Sequence, residues 1–229
     1  MAENITASVF FFAVGGGFLP VLVWLWFWLK QDPHPEPRKI LILTFLNGMV
    51  AVGAALFFEY LISLYIAAGA LVLLLWAFTE EIFKYWAAYQ IALKRPDFDE
   101  PIDALIYLIT AGLGFASVEN IFFILKSFST DGLLSSFITG NLRFIGATLL
   151  HTATSAIVGA SIAFAFFNKK RRSFNIIGGI LLAGSLHFLF NYFIIKSNGQ
   201  GLLKIFLPLW LGIIIIIFIF EKVKRIKQT

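Results

Sequence analysis

The sequence predicts an all-α protein, a polytopic bundle of about seven transmembrane helices, on three observations. Of its 229 residues 59% are hydrophobic and 14% charged, with a mean hydropathy of +0.87; such a chain has too few polar groups to cover a water-facing surface. Apolar runs recur along nearly its whole length, each close to the roughly 20 residues that let a helix cross a bilayer with its backbone N–H and C=O groups paired internally. Basic residues gather at alternate ends of these runs, the bias that separates cytoplasmic loops from outer ones.

The spans read as about 7–29, 39–59, 61–80 with a helical continuation to about 93, 102–125, 139–167, 174–195 and 202–220. The first has no basic stretch ahead of it and no small-residue cleavage site behind it, so it reads as a retained helix. It leads into Asp32-Pro-His-Pro-Glu-Pro37, a stiff connector within an expected Pro-rich cytoplasmic loop over 30–39. With the N-terminus outside, Lys30, Arg38, Lys39, Lys94, Arg95 and the Lys169–Arg172 run fall on the cytoplasmic side, as do Lys222, Lys224, Arg225 and Lys227 of a basic tail over 221–229. Only Lys126, Lys196 and Lys204 fall outside. The C-terminus is then cytoplasmic and the protein multi-pass in the cell membrane. No repeat and no sizeable polar segment interrupts the pattern, which makes 1–229 a single transmembrane domain.

Other classes fall away on composition. The chain has no cysteine, which excludes a disulfide framework, a thiol nucleophile and any thiolate metal site. The net charge of +5 is spread over short loops rather than one patch, so a nucleic acid partner is not expected.

Ionisable side chains inside a span cost a few kcal/mol or more and usually face a partner or a water-filled cavity. Glu80 and Glu81 stand in Thr79-Glu-Glu-Ile-Phe-Lys84, with Glu80 and Lys84 one helical turn apart on one face. Lys84 neutralises one carboxylate well, so the other is expected to be neutral or to hold a further partner. Glu119 has no basic residue within a turn, and its charge has to be met from another helix. His151 lies on a stripe of small and polar residues with Ala147, Ser155, Gly159 and Ala163, and His187 on a second with Gly179, Ala183 and Asn191. Such stripes are close-packing faces. Arg143, two turns before His151 on roughly the same face, either pairs with a carboxylate or, the simpler reading, sits near the outer headgroups; Glu59 reads as an outer interfacial group and the tryptophans as packing residues and interfacial belts.

If the helices meet on these faces, Glu80, Glu81, Glu119, His151, His187 and Asn191 surround one polar cavity. That set suits hydrolysis: a carboxylate takes a proton from water, an imidazole passes one to the leaving group, and His with Asn donates to an oxyanion. Two imidazoles and a carboxylate, here Glu119, His151 and His187, equally suit a divalent metal such as zinc. The residues alone leave both schemes open. One depth condition applies to either. A straight helix from 61 to 93 would be about 50 Å long at about 1.5 Å per residue, and would carry Glu80 and Glu81 to the cytoplasmic interface. For one site to form, that helix has to be displaced outward or strongly tilted.

In order along the chain, the motifs resemble those of the PrsW family of intramembrane proteases, which are related to the CAAX prenyl endopeptidases. They are Glu36-Pro37, Glu80-Glu81-Ile-Phe-Lys84, Asp99-Glu-Pro-Ile-Asp103 with Tyr107, Phe115 to Glu119-Asn120, Arg143 eight residues before His151, and His187. The resemblance implies an endopeptidase, glutamate- or metal-dependent, that cuts a membrane-tethered protein such as an anti-sigma factor. Lys84, Arg143, Asp103 and Asn120 are then supporting residues. His187 and Asn191 match the HxxxN pair of the prenyl endopeptidases, whereas Glu119 stands where those have a histidine. Two other readings stay in view: a proton-coupled transporter or channel, since buried Glu and His also relay protons, and a noncatalytic membrane scaffold. A transporter is disfavoured by the lack of an internal repeat.

Overall fold

A computed structural model describes residues 6–197 and 200–227. The last two residues of the expected basic tail, 228–229, and residues 1–5 of the expected domain lie outside the described set. Seven helices follow in order: α1 (Ala7–Leu29), α2 (Arg38–Tyr65), α3 (Ala70–Ala88), α4 (Asp103–Leu142), α5 (Thr148–Ala163), α6 (Lys169–Ser197) and α7 (Leu202–Val223). A π-helical turn, Tyr89–Leu93, extends α3, and a second, Arg143–Ala147, joins α4 to α5. There is no strand among the described residues.

Among the described residues, six stretches are long and apolar enough to cross a membrane: Ala7–Leu29, Arg38–Tyr65, Asp103–Thr130, Gly132–Ala163, Lys170–Ser197 and Leu202–Val223. The expected third span, α3, is not among them, because Glu80, Glu81 and Lys84 lower its hydropathy. The helices at the centre, Asp103–Thr130 and Gly132–Ala163, bury two-thirds or more of their apolar windows, the others a third or less. α1 and α2 pack on α4, α6 and α7 pack on α5, and α3 lies between α2 and α6. Large apolar side chains such as Phe11, Leu19, Val50 and Phe218 point outward, as expected where the surrounding solvent is hydrocarbon. Trp28 is a packing residue: it is fully buried and stacks on Phe220 of α7 with ring centroids 5.1 Å apart.

Two boundaries depart from the hydropathy reading. α2 runs on to Tyr65, so α3 begins at Ala70 rather than Leu61. Glu80 therefore comes ten residues into its helix, about 15 Å from its start, and the outward displacement required for a single site is met. The fourth helix does not stop near 125: helical structure continues to Gly132, where φ is 83°, and resumes beyond it. Glycine adopts that left-handed backbone without a Cβ penalty, so one residue turns the chain where a longer loop was expected.

The small-residue stripe of α5 lies against α4. A Cβ on Gly159 would come within 2.7 Å of the Ala104 carbonyl oxygen and 2.8 Å of Leu105 Cα, both backbone atoms that cannot swing aside. Gly159→Val is therefore expected to destabilise the bundle by about 1–3 kcal/mol, read as a lower unfolding midpoint in detergent; an unchanged midpoint would contradict this packing.

Candidate active site

Glu80, Glu81 and Lys84 come from α3, Glu119 and Asn120 from α4, Arg143 from the π turn, His151 from α5 and His187 from α6. Their side chains form a continuous series of contacts. Asn120 Nδ2 donates to Thr148 Oγ1 at 3.0 Å, and Arg143 Nε donates to Asn120 Oδ1 at 2.6 Å. Arg143 Nη2 donates to Glu119 Oε2 at 2.9 Å, and His151 Nε2 lies 2.6 Å from the same oxygen. On its other side His151 Nδ1 is 3.0 Å from Lys84 Nζ, which is 2.5 Å from Glu81 Oε1. His187 Nδ1 lies 2.7 Å from Glu81 Oε1, and its Nε2 faces Glu80 Oε2 at 3.7 Å.

The partners fix the imidazole tautomers. An ammonium at Nδ1 makes that nitrogen of His151 an acceptor, so Nε2 carries the proton and donates to Glu119. In His187 the proton is on Nδ1, donated to Glu81, which leaves Nε2 as the lone-pair nitrogen facing Glu80. Glu81, Lys84, His151 and His187 are each 1% exposed and Glu80 7%, so these contacts are shielded from bulk water and its screening.

Several expectations change in detail. Lys84 bonds to Glu81, three residues back, not to Glu80. Arg143 is not a headgroup contact; it supplies the counter-charge that Glu119 needs from outside its own helix. The π turn makes this possible, because an inserted residue rotates a helix face by about 100°. Thr148, which anchors Asn120, was not singled out from sequence, although it lies one turn before His151 on the same helix. Asn191 sits half-buried one turn beyond His187, outside the hydrogen-bonded series.

Asp103 is not a supporting residue of this site. It opens α4 sixteen residues before Glu119, about 24 Å away along the helix, and accepts from the backbone N–H groups of Asp99 and Glu100 at 3.0 and 2.7 Å. It belongs to a separate cluster in which Tyr107 donates to the Glu36 carboxylate and His34 pairs with Glu100 at 2.9 Å. Burial raises the proton affinity of Glu36 above its ordinary value. A raised carboxyl contributes stability that is fully present below the unfolded value of 4.5 and is lost as pH rises through the folded one. Glu36→Gln is expected to flatten that part of the pH–stability curve; identical curves for the two proteins would contradict it.

Glu81 is bonded to Lys84 and Glu119 to Arg143, which leaves Glu80 as the carboxyl without a basic residue in hydrogen-bond range. Glu80 Oε2 and Glu81 Oε2 are buried with no hydrogen-bond partner, an arrangement that is costly unless a ligand or reacting group uses it. Donor atoms of Glu80, His151 and His187 all lie within 4.8 Å of one another.

Acid–base groups gathered inside a bundle of apolar helices are what chemistry on a polar bond within the membrane requires. The chain belongs to the PrsW family: residues 36–220 match the model for the PrsW family intramembrane metalloprotease. It is similar to proteins named Protease PrsW from Geobacillus kaustophilus, at 25% identity over 96% of this chain and 92% of that one. Those of Oceanobacillus iheyensis, at 28% over 80% and 83%, and of Bacillus subtilis, at 26% over 71% of each chain, are similar too. No solved structure matches. The protein is thus a peptidase and a multi-pass membrane protein.

The family's description implies a metal, and the donor set fits one. Two imidazoles and a carboxylate are the usual protein ligands of a catalytic zinc, and Glu81 stands behind His187 as the carboxylate that commonly orients a metal-bound imidazole. Glu80 takes the place expected of Glu119, which is committed to Arg143. His151, with both ring nitrogens engaged, joins such a set by releasing Lys84 or Glu119.

Proposed function

We propose that this chain hydrolyses a peptide bond of a membrane-anchored protein at the Glu80, His151 and His187 cluster. The observation that carries the reading is their convergence, buried, from three different helices of an apolar bundle. Glu80 accepts the proton of the attacking water. His187 sits beside it, held by Glu81, with its lone-pair nitrogen towards Glu80. His187 takes that proton on its lone-pair nitrogen and passes it to the leaving amine, His151 is held beside it by Glu119 and Lys84, and Asn191 is the candidate oxyanion donor one turn from His187. Glu81 and Glu119 are paired with Lys84 and Arg143, so these two position imidazoles rather than compete for the water's proton. A zinc ion held by Glu80, His151 and His187 would engage these three as ligands in place of the acid–base roles above, and would supply Lewis-acid polarisation of the scissile carbonyl and a more acidic water. The distribution of basic residues supports seven crossings with the N-terminus outside and the C-terminus cytoplasmic, α3 being the crossing that carries the site. The family resemblance points to an anti-sigma-factor-like substrate.

Purified protein in vesicles with a single-span test substrate is expected to yield two membrane-derived fragments. Chelation is expected to abolish the cut and added zinc to restore it. Cleavage indifferent to chelators would assign water activation to the carboxylates alone, and no cleavage of any single-span substrate would remove the reading.

A further inference from the structure

We propose that the cleft between α5, α6 and α7 is a binding site for one anionic phospholipid. The cleft is a groove of about 730 Å³, within the range of roughly 300–1,000 Å³ typical of ligand sites. Its walls are apolar: Leu150 and Ile157 of α5, Leu186 and Phe190 of α6, Pro208 and Gly212 of α7. Leu186 and Ile215 are exposed at its rim, so hydrocarbon chains reach it from the bilayer. At one end it runs into a second hollow of about 600 Å³ lined by Lys196, Ser197, Gln200 and Lys204, with Lys204 common to both. An apolar trough ending in two ammonium groups has the amphipathic outline of a phospholipid with a negative headgroup.

Charge and placement favour that occupant. Lys196 and Lys204 are exposed and, among the described residues, neither has a carboxylate partner. They are two of the three basic residues that the charge pattern puts on the outer face, where lysine is otherwise scarce, and both border one hollow. The amino end of α7 adds to the field, since its cap residue Gly201 offers no side-chain cap to the first turn, and helix amino-termini favour anions. A transmembrane helix of another protein would need an acidic residue placed at that end of the groove to match the paired lysines, whereas an anionic headgroup carries its charge there by construction. The groove also shares its walls with the site, because Leu150 precedes His151 and Leu186 precedes His187. A bound lipid therefore lies against the two helices that carry the histidines.

The full chain in detergent, titrated with phosphatidylglycerol or phosphatidylcholine and read by native mass spectrometry, tests this. Wild type is expected to retain one phosphatidylglycerol in preference to phosphatidylcholine, and K196Q and K204Q each to weaken that preference about fivefold. Space beside Gly212 is open to 4 Å, so G212W fills the groove without disturbing the backbone and is expected to lose both lipids while the lysines remain. Equal headgroup preference in wild type and the K196Q/K204Q double variant would overturn the proposal. So would unchanged lipid retention in G212W. A photoreactive side chain at position 212 is expected to capture phospholipid in native membranes; capture of another protein's helix instead would also overturn it.

Discussion

Glu80→Gln is expected to lower the rate of peptide cleavage by about 10²- to 10⁴-fold, the usual contribution of a positioned proton acceptor, while the unfolding midpoint holds or rises. The two effects separate because Glu80 is the unmatched acid of the site. Its Oε2 is buried without a hydrogen-bond partner, so an amide of nearly the same shape there breaks no hydrogen-bonded pair. Glu81→Gln differs: Glu81 Oε1 meets both Lys84 and His187, at 2.5 and 2.7 Å, so that variant is expected to lose stability along with activity. Kinetics on a single-span substrate together with thermal unfolding distinguish the cases. A Glu80→Gln protein of full activity would move the proton-accepting role to another residue.

Lys84→Met is expected to destabilise the protein by about 3–5 kcal/mol, the range seen when one member of a buried ion pair is removed. Lys84 and Glu81 are each 1% exposed, so Glu81 would be left desolvated with only the His187 imidazole beside it. Adding Glu81→Gln to Lys84→Met is expected to recover much of the loss, since a buried pair replaced by neutral groups is often close to neutral in stability. Chemical unfolding of the two single variants and the double variant completes the cycle. Stability of Lys84→Met equal to wild type would contradict the buried pair.

These expectations rest on side-chain partners that the sequence shows only in part. Hydropathy places α1 to the residue, because apolar length is what a bilayer selects. It cuts α2 short at 59, since Glu59 looks like an end when it is a group within a longer helix that runs to Tyr65. The site residues are legible as ionisable outliers in apolar helices, and Glu80, Glu81, Glu119, His151 and His187 do come together. Their pairing is less so: positions three and four apart are both neighbours on a helix, and the surrounding helices decided that Lys84 turns to Glu81. Arg143 reaches Glu119 by way of a π turn that no residue pattern announces. Asp103 fits the family motif yet serves a different cluster, because order along a chain carries no measure of depth along a helix.

The meeting of α3, α5 and α6 is the claim on which the rest depends, and a chain without cysteine allows it to be tested cleanly in the native membrane. Paired cysteines replacing Glu80 and His187, and separately Glu80 and His151, are expected to be bridged within one chain by a short bifunctional thiol reagent. A pair replacing Asp103 and His187 is expected to stay unbridged. Efficient bridging of the Asp103 pair, with none at Glu80 to either histidine, would contradict the single buried site.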